Sequence, residues 1–359
     1  MSTYYYAIDA QGDWVFDNFP TEVVHLIQDH KNSEKMLSLR ISDQTITCRI
    51  GKKSSNHGTV YTLSSDPRYV RSYKLFKEVV DLSTVSLKSI IDFKKQVESK
   101  QIERTEEFIH NVTSLNTYSI QDLFKLIPQD KLIGNINKQK ELVNEVIIKK
   151  PNEAIATLLR LNKHNLAMKV EFSVYERTLK PYGSVQKLEQ RIRPLVLSVL
   201  QIFMQDFEAK DIEVSLDASD VSEKLLSIDN DSLFVSLFYV LDNAVKYCCP
   251  RTKFKIIFEE EETCFSILFK MVSLRIESDE IDKLSIRSYR SKSAKELNKK
   301  GQGIGMYRIL KTLKLNNADL VVIPRQFDFP KQIGNIKYEG NLFKIRFPGQ
   351  QSWLANSFK

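Results

Sequence analysis

The stretch 239-YVLDNAVKY-247 decides how this chain is read. With the residues just upstream, it has apolar side chains at Leu233, Leu237, Val240, Leu241, Ala244 and Val245. They recur at helical spacing, so a helix with a core-facing side is expected. The same helix carries Asp242, Asn243 and Lys246, and the last two, three positions apart, share a face. An amide oxygen beside an ammonium suits a metal ion and the phosphates it bridges.

Downstream, 301-GQGIGMYRILKTL-313 places Gly301, Gly303 and Gly305 ahead of a helix expected from Met306 to Leu313. Glycines let the backbone approach a phosphate closely, and a helix N-terminus supplies amide donors and positive potential. Either stretch alone has a plain reading, a tight loop or a polar helix edge. In this order, with a strand pair between them (253-KFKIIFEE-260 and 263-TCFSILFKMV-272), they resemble the N box and second glycine box of the GHKL superfamily. LDNAVKY is close to the form found in its sensor histidine kinases, and the resemblance runs over roughly residues 85 to 348.

The resemblance implies Mg-ATP seated between the Asn243 helix and the glycine loop. Asn243 would hold the magnesium, Lys246 the phosphates, and Tyr247 would pack near the nucleotide. Backbone amides over Gly301, Gln302, Gly303, Ile304, Gly305 and Met306 would contact the phosphates. Residues 281–300 take the place of the mobile lid, and Arg287, Arg290, Lys292, Lys295, Lys299 and Lys300 make it basic. Basic groups there suit a triphosphate, and a solvated loop explains them nearly as well.

Residues 82–127 hold no glycine or proline and are expected to form one long helix closed by Pro128. So long a helix cannot bury itself alone and implies a bundle. Within it, 106-EEFIHNVTSLN-116 resembles the phosphoacceptor box of histidine kinases, with His110 as acceptor, Asn111 next to it and Ser114 four on. An imidazole nitrogen can attack a γ-phosphorus while a neighbouring group orients the ring through its other nitrogen. A second helical region starts near Ile136, is interrupted at Lys150-Pro151 and continues to Leu179, with Ala154, Leu158, Leu161, Asn165 and Met168 as its buried stripe. His164 has no phosphoacceptor context and reads as structural. Two antiparallel helices make half of a four-helix bundle, so a homodimer is implied.

Two departures from the family pattern stand out. The first glycine box, an Asp-x-Gly-x-Gly pattern whose aspartate accepts a hydrogen bond from adenine, aligns with 271-MVSLRI-276. Met271 falls at the aspartate, and Ser273 and Arg275 at the glycines. One helical turn before Asn243, where these kinases often have Asn or Glu, stands Tyr239.

The N-terminal part alternates short apolar segments (3–9, 36–41, 44–50, 58–63) with turns, and one helix is expected over 20-PTEVVHLIQDH-30. His25, His30 and His57 lack metal spacing. This reads as an input or partner-binding module. A net charge of +8 raises nucleic-acid binding, but the basic residues are spread among acids along helices, so no nucleic-acid partner is expected. Cys48, Cys248, Cys249 and Cys264 have no metal spacing and read as reduced cytosolic thiols. There is no signal-peptide pattern and no long apolar run, so a cytoplasmic protein without a membrane span is expected.

The expected fold class is α+β in three parts. Residues 1–80 form a small α+β domain, 81–182 a helical-hairpin dimerisation and histidine-phosphotransfer domain, and 183–359 an α/β-sandwich ATP-binding domain. The resemblance implies autophosphorylation of His110 and transfer to an aspartate of a response regulator, with ATP and Mg as cofactors. The alternative is a degenerate kinase acting as a nucleotide-responsive or dimerisation scaffold.

Overall fold

A computed structural model describes residues 2–19, 34–41, 44–179, 185–297 and 302–349. The helix expected over residues 20–30, Gly301, Lys299 and Lys300 lie outside them. The chain divides into two compact units, Met1–Glu106 and Glu107–Lys359.

In the first unit, β1 (Thr3–Asp9), β2 (Trp14–Asp17), β3 (Glu34–Ile41), β4 (Gln44–Ser55) and β5 (Gly58–Ser64) form an antiparallel sheet in the order β2-β1-β5-β4-β3. After the short α1 (Pro67–Arg71), capped by Asp66, the chain enters α2 (Tyr73–Leu126). The absence of glycine and proline lets α2 begin before the expected Leu82. Its first turns bury Phe76, Val80 and Leu87; Leu87 joins Ala7, Val15 and Val60 in one apolar cluster. Gly51 is needed there, because a Cβ at that position would lie 2.7 Å from the Phe76 ring.

The second unit begins with the rest of α2. The helix α3 (Ile136–Lys149) follows, and then α4 (Pro151–Leu179), which proline opens. Side-chain pairs set α2 and α4 antiparallel. Phe108 stacks on Tyr175 with centroids 4.3 Å apart, and Arg160 Nε meets Asp122 Oδ2 at 3.1 Å. The stripe read as buried on α4 divides. Ala154 is buried, but Leu158 is 63% exposed, because the inward side is built by Thr157, Val170 and Glu171 instead. Ile109, Ile120, Ile155 and Leu159 are exposed as well, so the hairpin carries an apolar outer face.

The remainder is a two-layer sandwich. A five-stranded sheet runs in the order β11-β12-β10-β9-β7, using β7 (Glu213–Leu216), β9 (Lys253–Glu261), β10 (Cys264–Leu274), β11 (Asp319–Ile333) and β12 (Ile336–Pro348). Only the β7–β9 pairing is parallel. A small ribbon of β6 (Leu188–Arg191) and β8 (Leu225–Ile228) stands apart. Helices α5 (Ile192–Glu208), α6 (Asn230–Tyr247) and α8 (Gly305–Leu315) share one core with the sheet; α7 (Lys292–Glu296) is a short helix of the lid region. On α6, Leu233, Leu237 and Leu241 are fully buried. Each such side chain contributes roughly 1.5–3 kcal/mol relative to exposure. Asp229 caps this helix by accepting from Ser232 N at 2.9 Å. The β11–β12 hairpin closes through a two-residue turn with Gly334 at φ +58°, and its register shifts between Ile323 and Phe327 and again before Lys331.

Candidate functional site

Burial of α6 fixes the direction of its polar edge. With Leu237, Leu241 and Ala244 in the core, Asn243, Lys246 and Tyr247 border a cavity of about 590 Å³. The loop into α8 supplies Gln302, Gly303, Ile304, Gly305 and Met306, and α2 supplies His110, Asn111 and Ser114. The cavity therefore joins the three groups of residues read from separate stretches of sequence; Gly301 alone is outside the described residues.

Each wall has its own chemistry. Ile304 begins α8 without a side-chain cap, and no acidic residue stands in the first turn, so the first amides of the helix remain available. Gly303 has φ +71°, and a Cβ there would come within 2.5 Å of the Tyr289 carbonyl oxygen in the lid. A Cβ on Gly305 would lie 3.4 Å from the Asn243 amide, so a bare backbone keeps space between the loop and that side chain. A metal-bridged phosphate fits this arrangement, with an oxygen donor on one side and amide donors on the other. Lys246 is not a free cation, because its Nζ is 2.5 Å from Asp242 Oδ2 on the preceding turn.

The strand carrying the altered first glycine box runs from the core to the cavity. Met271 is packed in the core, whereas Ser273 meets the cavity along with Leu274 and Ile276. The Ser273 hydroxyl accepts from the buried Asn341 amide at 2.9 Å. Arg275 pairs with Glu277 at 2.7 Å and with Glu339 at 3.5 Å. In the lid, Arg287 is ion-paired with Glu107, and Arg290 donates to the Ala294 carbonyl at 2.7 Å. These two arginines are thus engaged with protein groups.

Three residues of consequence were not singled out from the sequence: Glu107, Glu171 and Arg308. Arg308 lies on α8 one turn after Ile304 and is 9% exposed. It meets Glu171 Oε1 at 2.5 Å, Glu107 Oε1 at 2.8 Å, and the Tyr239 hydroxyl. Tyr239 in turn donates to Glu171 Oε1 at 2.7 Å, and Asn111 Nδ2 donates to Glu171 Oε2 at 3.0 Å. Burial, with the Glu171 carboxylate beside it, raises the pKa of Tyr239 well above the ordinary phenol value, so the hydroxyl remains a neutral donor. One network therefore ties both hairpin helices to α6 and α8. The available signal was Arg308 and Thr312, four apart beside the core positions Ile309 and Leu313.

His164 also borders the cavity, and burial lowers its pKa. All four cysteines are free thiols, and burial pushes Cys248 up to about 12. Among the described residues no cluster of His, Cys, Asp or Glu could hold a metal by itself, and no helix is long and apolar enough to cross a membrane.

No protein-family model and no curated protein matches the chain. Among solved structures it is similar to a mycobacterial sensor histidine kinase, MprB, at 17% identity and a TM-score of 0.37, covering 46% of this chain and 99% of that one. The Acinetobacter baumannii histidine kinase AdeS matches at 13% identity and a TM-score of 0.35, over 68% of this chain and 97% of the other. Full-length ShkA, solved in complex with AMPPNP, matches at 13% identity and a TM-score of 0.42, over 70% of this chain and 46% of that one. With identities and scores this low, the roles of the site residues rest on their own geometry.

Proposed function

We propose that the chain is a histidine kinase of the GHKL type that binds Mg-ATP and phosphorylates its own His110. The observation that carries this reading is the shared cavity. An exposed imidazole on α2 faces the same space as the Asn243 amide and the uncapped start of α8. A magnesium ion held by Asn243 would neutralise charge on the phosphate oxygens. His110 Nε2 donates its lone pair to the γ-phosphorus, and the bond from that phosphorus to the bridging oxygen breaks, releasing ADP. The Nδ1 proton then leaves to solvent. The phosphoryl group passes on to an aspartate carboxylate of a response regulator. The exposed apolar face of the hairpin, including Ile155, Leu158 and Leu159, supports pairing with a second copy as a four-helix bundle.

The second reading, a scaffold without catalysis, is favoured by the wall of the cavity at Ser273. Among the described residues, the carboxylates that border the cavity are already ion-paired, Glu171 with Arg308 and Asp242 with Lys246, and the strand position aligned with the adenine-binding aspartate holds Met271. Incubation with γ-labelled ATP and magnesium separates the two, with His110→Ala and Asn243→Ala as controls. Acid-labile, base-stable label absent from both variants supports the kinase. Nucleotide binding by calorimetry without label supports the scaffold.

A further inference from the structure

His110 has two ring nitrogens, and only the one without a proton can act as a nucleophile. The groups around the ring decide which nitrogen that is. Glu171 is a carboxylate on the opposite helix, and an ionised carboxylate only accepts hydrogen bonds. The side-chain nitrogen of Asn111 is 3.0 Å from Glu171 Oε2, so the charge orients the Asn111 amide with its NH2 towards α4. That orientation turns Asn111 Oδ1 towards His110 Nδ1, at 3.5 Å. An amide oxygen only accepts, so this contact is a hydrogen bond only when His110 carries its proton on Nδ1, which leaves Nε2 its lone pair. The contact is long for a hydrogen bond, as is common for catalytic groups in unliganded sites.

We infer that Glu171 is a positioning residue that sets the tautomer of His110 through Asn111. The inference rests on the kinase reading only for its consequence, not for the tautomer itself. Glu171 suits the task because its other oxygen is already anchored by the Tyr239 hydroxyl at 2.7 Å and by Arg308 at 2.5 Å. Both anchors come from the nucleotide-binding layer, on α6 and α8. Arg308 is itself shared with Glu107, which is also paired with Arg287. The carboxylate is therefore held where Asn111 needs an acceptor. An imidazole in water prefers the proton on Nε2, so without this relay the nucleophilic nitrogen would usually be blocked.

The test is long-range ¹⁵N–¹H NMR on the full chain labelled at histidine, with His110 assigned by its absence from His110→Asn. The wild type is expected to carry the His110 proton on Nδ1. Asn111→Ala, which leaves Arg308 and Glu171 paired, is expected to shift the ring towards the Nε2 proton, as is Glu171→Ala. The double exchange Asn111→Asp with Glu171→Gln reverses the amide and carboxylate across the hairpin and is expected to restore the wild-type tautomer. Asn111→Asp alone presents only acceptor oxygens to the ring and is expected to keep the Nδ1 proton, at a cost in stability from the two facing carboxylates. Labelling of His110 from γ-labelled ATP should fall roughly three- to tenfold in Asn111→Ala and Glu171→Ala, the scale of one hydrogen bond, and recover in the double exchange. A wild-type ring protonated on Nε2, or a tautomer indifferent to both alanine variants, overturns the inference even if His110 is labelled. A tautomer that responds in a protein that never takes label upholds it and removes the kinase reading instead.

Discussion

Arg308 offers the sharpest test of how the second unit is held together. Its side chain and that of Glu171 are each 10% exposed, and Glu107 is 16% exposed. Replacing Arg308 with methionine keeps the apolar stem and removes the charge. Glu107 retains Arg287, but Glu171 is left with only the Tyr239 hydroxyl and the Asn111 amide. Removing one partner of a buried ion pair costs about 3–5 kcal/mol, because the other charge is stranded. At roughly 2–4 °C per kcal/mol for a unit of this size, Arg308→Met should lower the melting temperature by about 6–20 °C. Adding Glu171→Gln removes the stranded charge, so the double variant should recover about 1–3 kcal/mol against the sum of the two single losses. Calorimetry and urea unfolding of the four proteins in the cycle measure this directly. A loss below about 1 kcal/mol for Arg308→Met, or additivity within about 0.5 kcal/mol, would show that the pair is solvated and holds nothing.

Other perturbations follow from the same geometry. Gly303→Ala forces a Cβ into a left-handed backbone and against the Tyr289 carbonyl. It should cost about 1–3 kcal/mol, read by thermal unfolding, and weaken nucleotide binding measured by calorimetry. Burial alone would raise the pKa of Asp229, but hydrogen bonds from Ser232 and the Arg177 guanidinium hold it below the ordinary carboxylate value. Its contribution is therefore present above the unfolded-state pKa of about 3.9 and is lost as the pH falls through the lower folded value. Asp229→Asn should flatten the acid limb of a stability–pH profile from urea unfolding, and an unchanged limb would remove Asp229 from that account. Leu158→Glu places a charge on the apolar outer face of the hairpin, and sedimentation should show the association of the proposed dimer weakened by at least about tenfold.

The parts of the molecule that follow from local pattern were open to reading. Periodicity places α6 and its polar edge at Asn243, because the alternation of core and edge positions is a property of one helix. The Lys150-Pro151 break and the strands around residues 253–272 are legible for the same reason. The β6–β8 ribbon escaped because four-residue strands carry too little pattern, and its partners lie far apart in sequence. Leu158 shows the limit in another form. An apolar stripe on a helix says that something covers it, not which surface, and α4 presents two such sides.

The polar network illustrates why the site was only half visible. Glu107, Glu171 and Arg308 look like ordinary solvated charges in their own helices, and only the packing of α2 and α4 against α6 and α8 brings them together. Yet Asn111 and the anomalous Tyr239 point to the same atom group. Asn111 places an uncharged amide beside His110, and Tyr239 places a phenol where a metal- or base-binding side chain is usual in the family it resembles. In the folded chain both donate to Glu171, Asn111 to one oxygen and Tyr239 to the other. A carboxylate next to His110 would repel Glu171, and an acid at the position of Tyr239 would do the same; an amide and a phenol are the donors that this buried acceptor requires. A carboxylate thus faces the helix of His110 from the opposite helix, and Asn111 and Tyr239 read as consequences of where that charge stands.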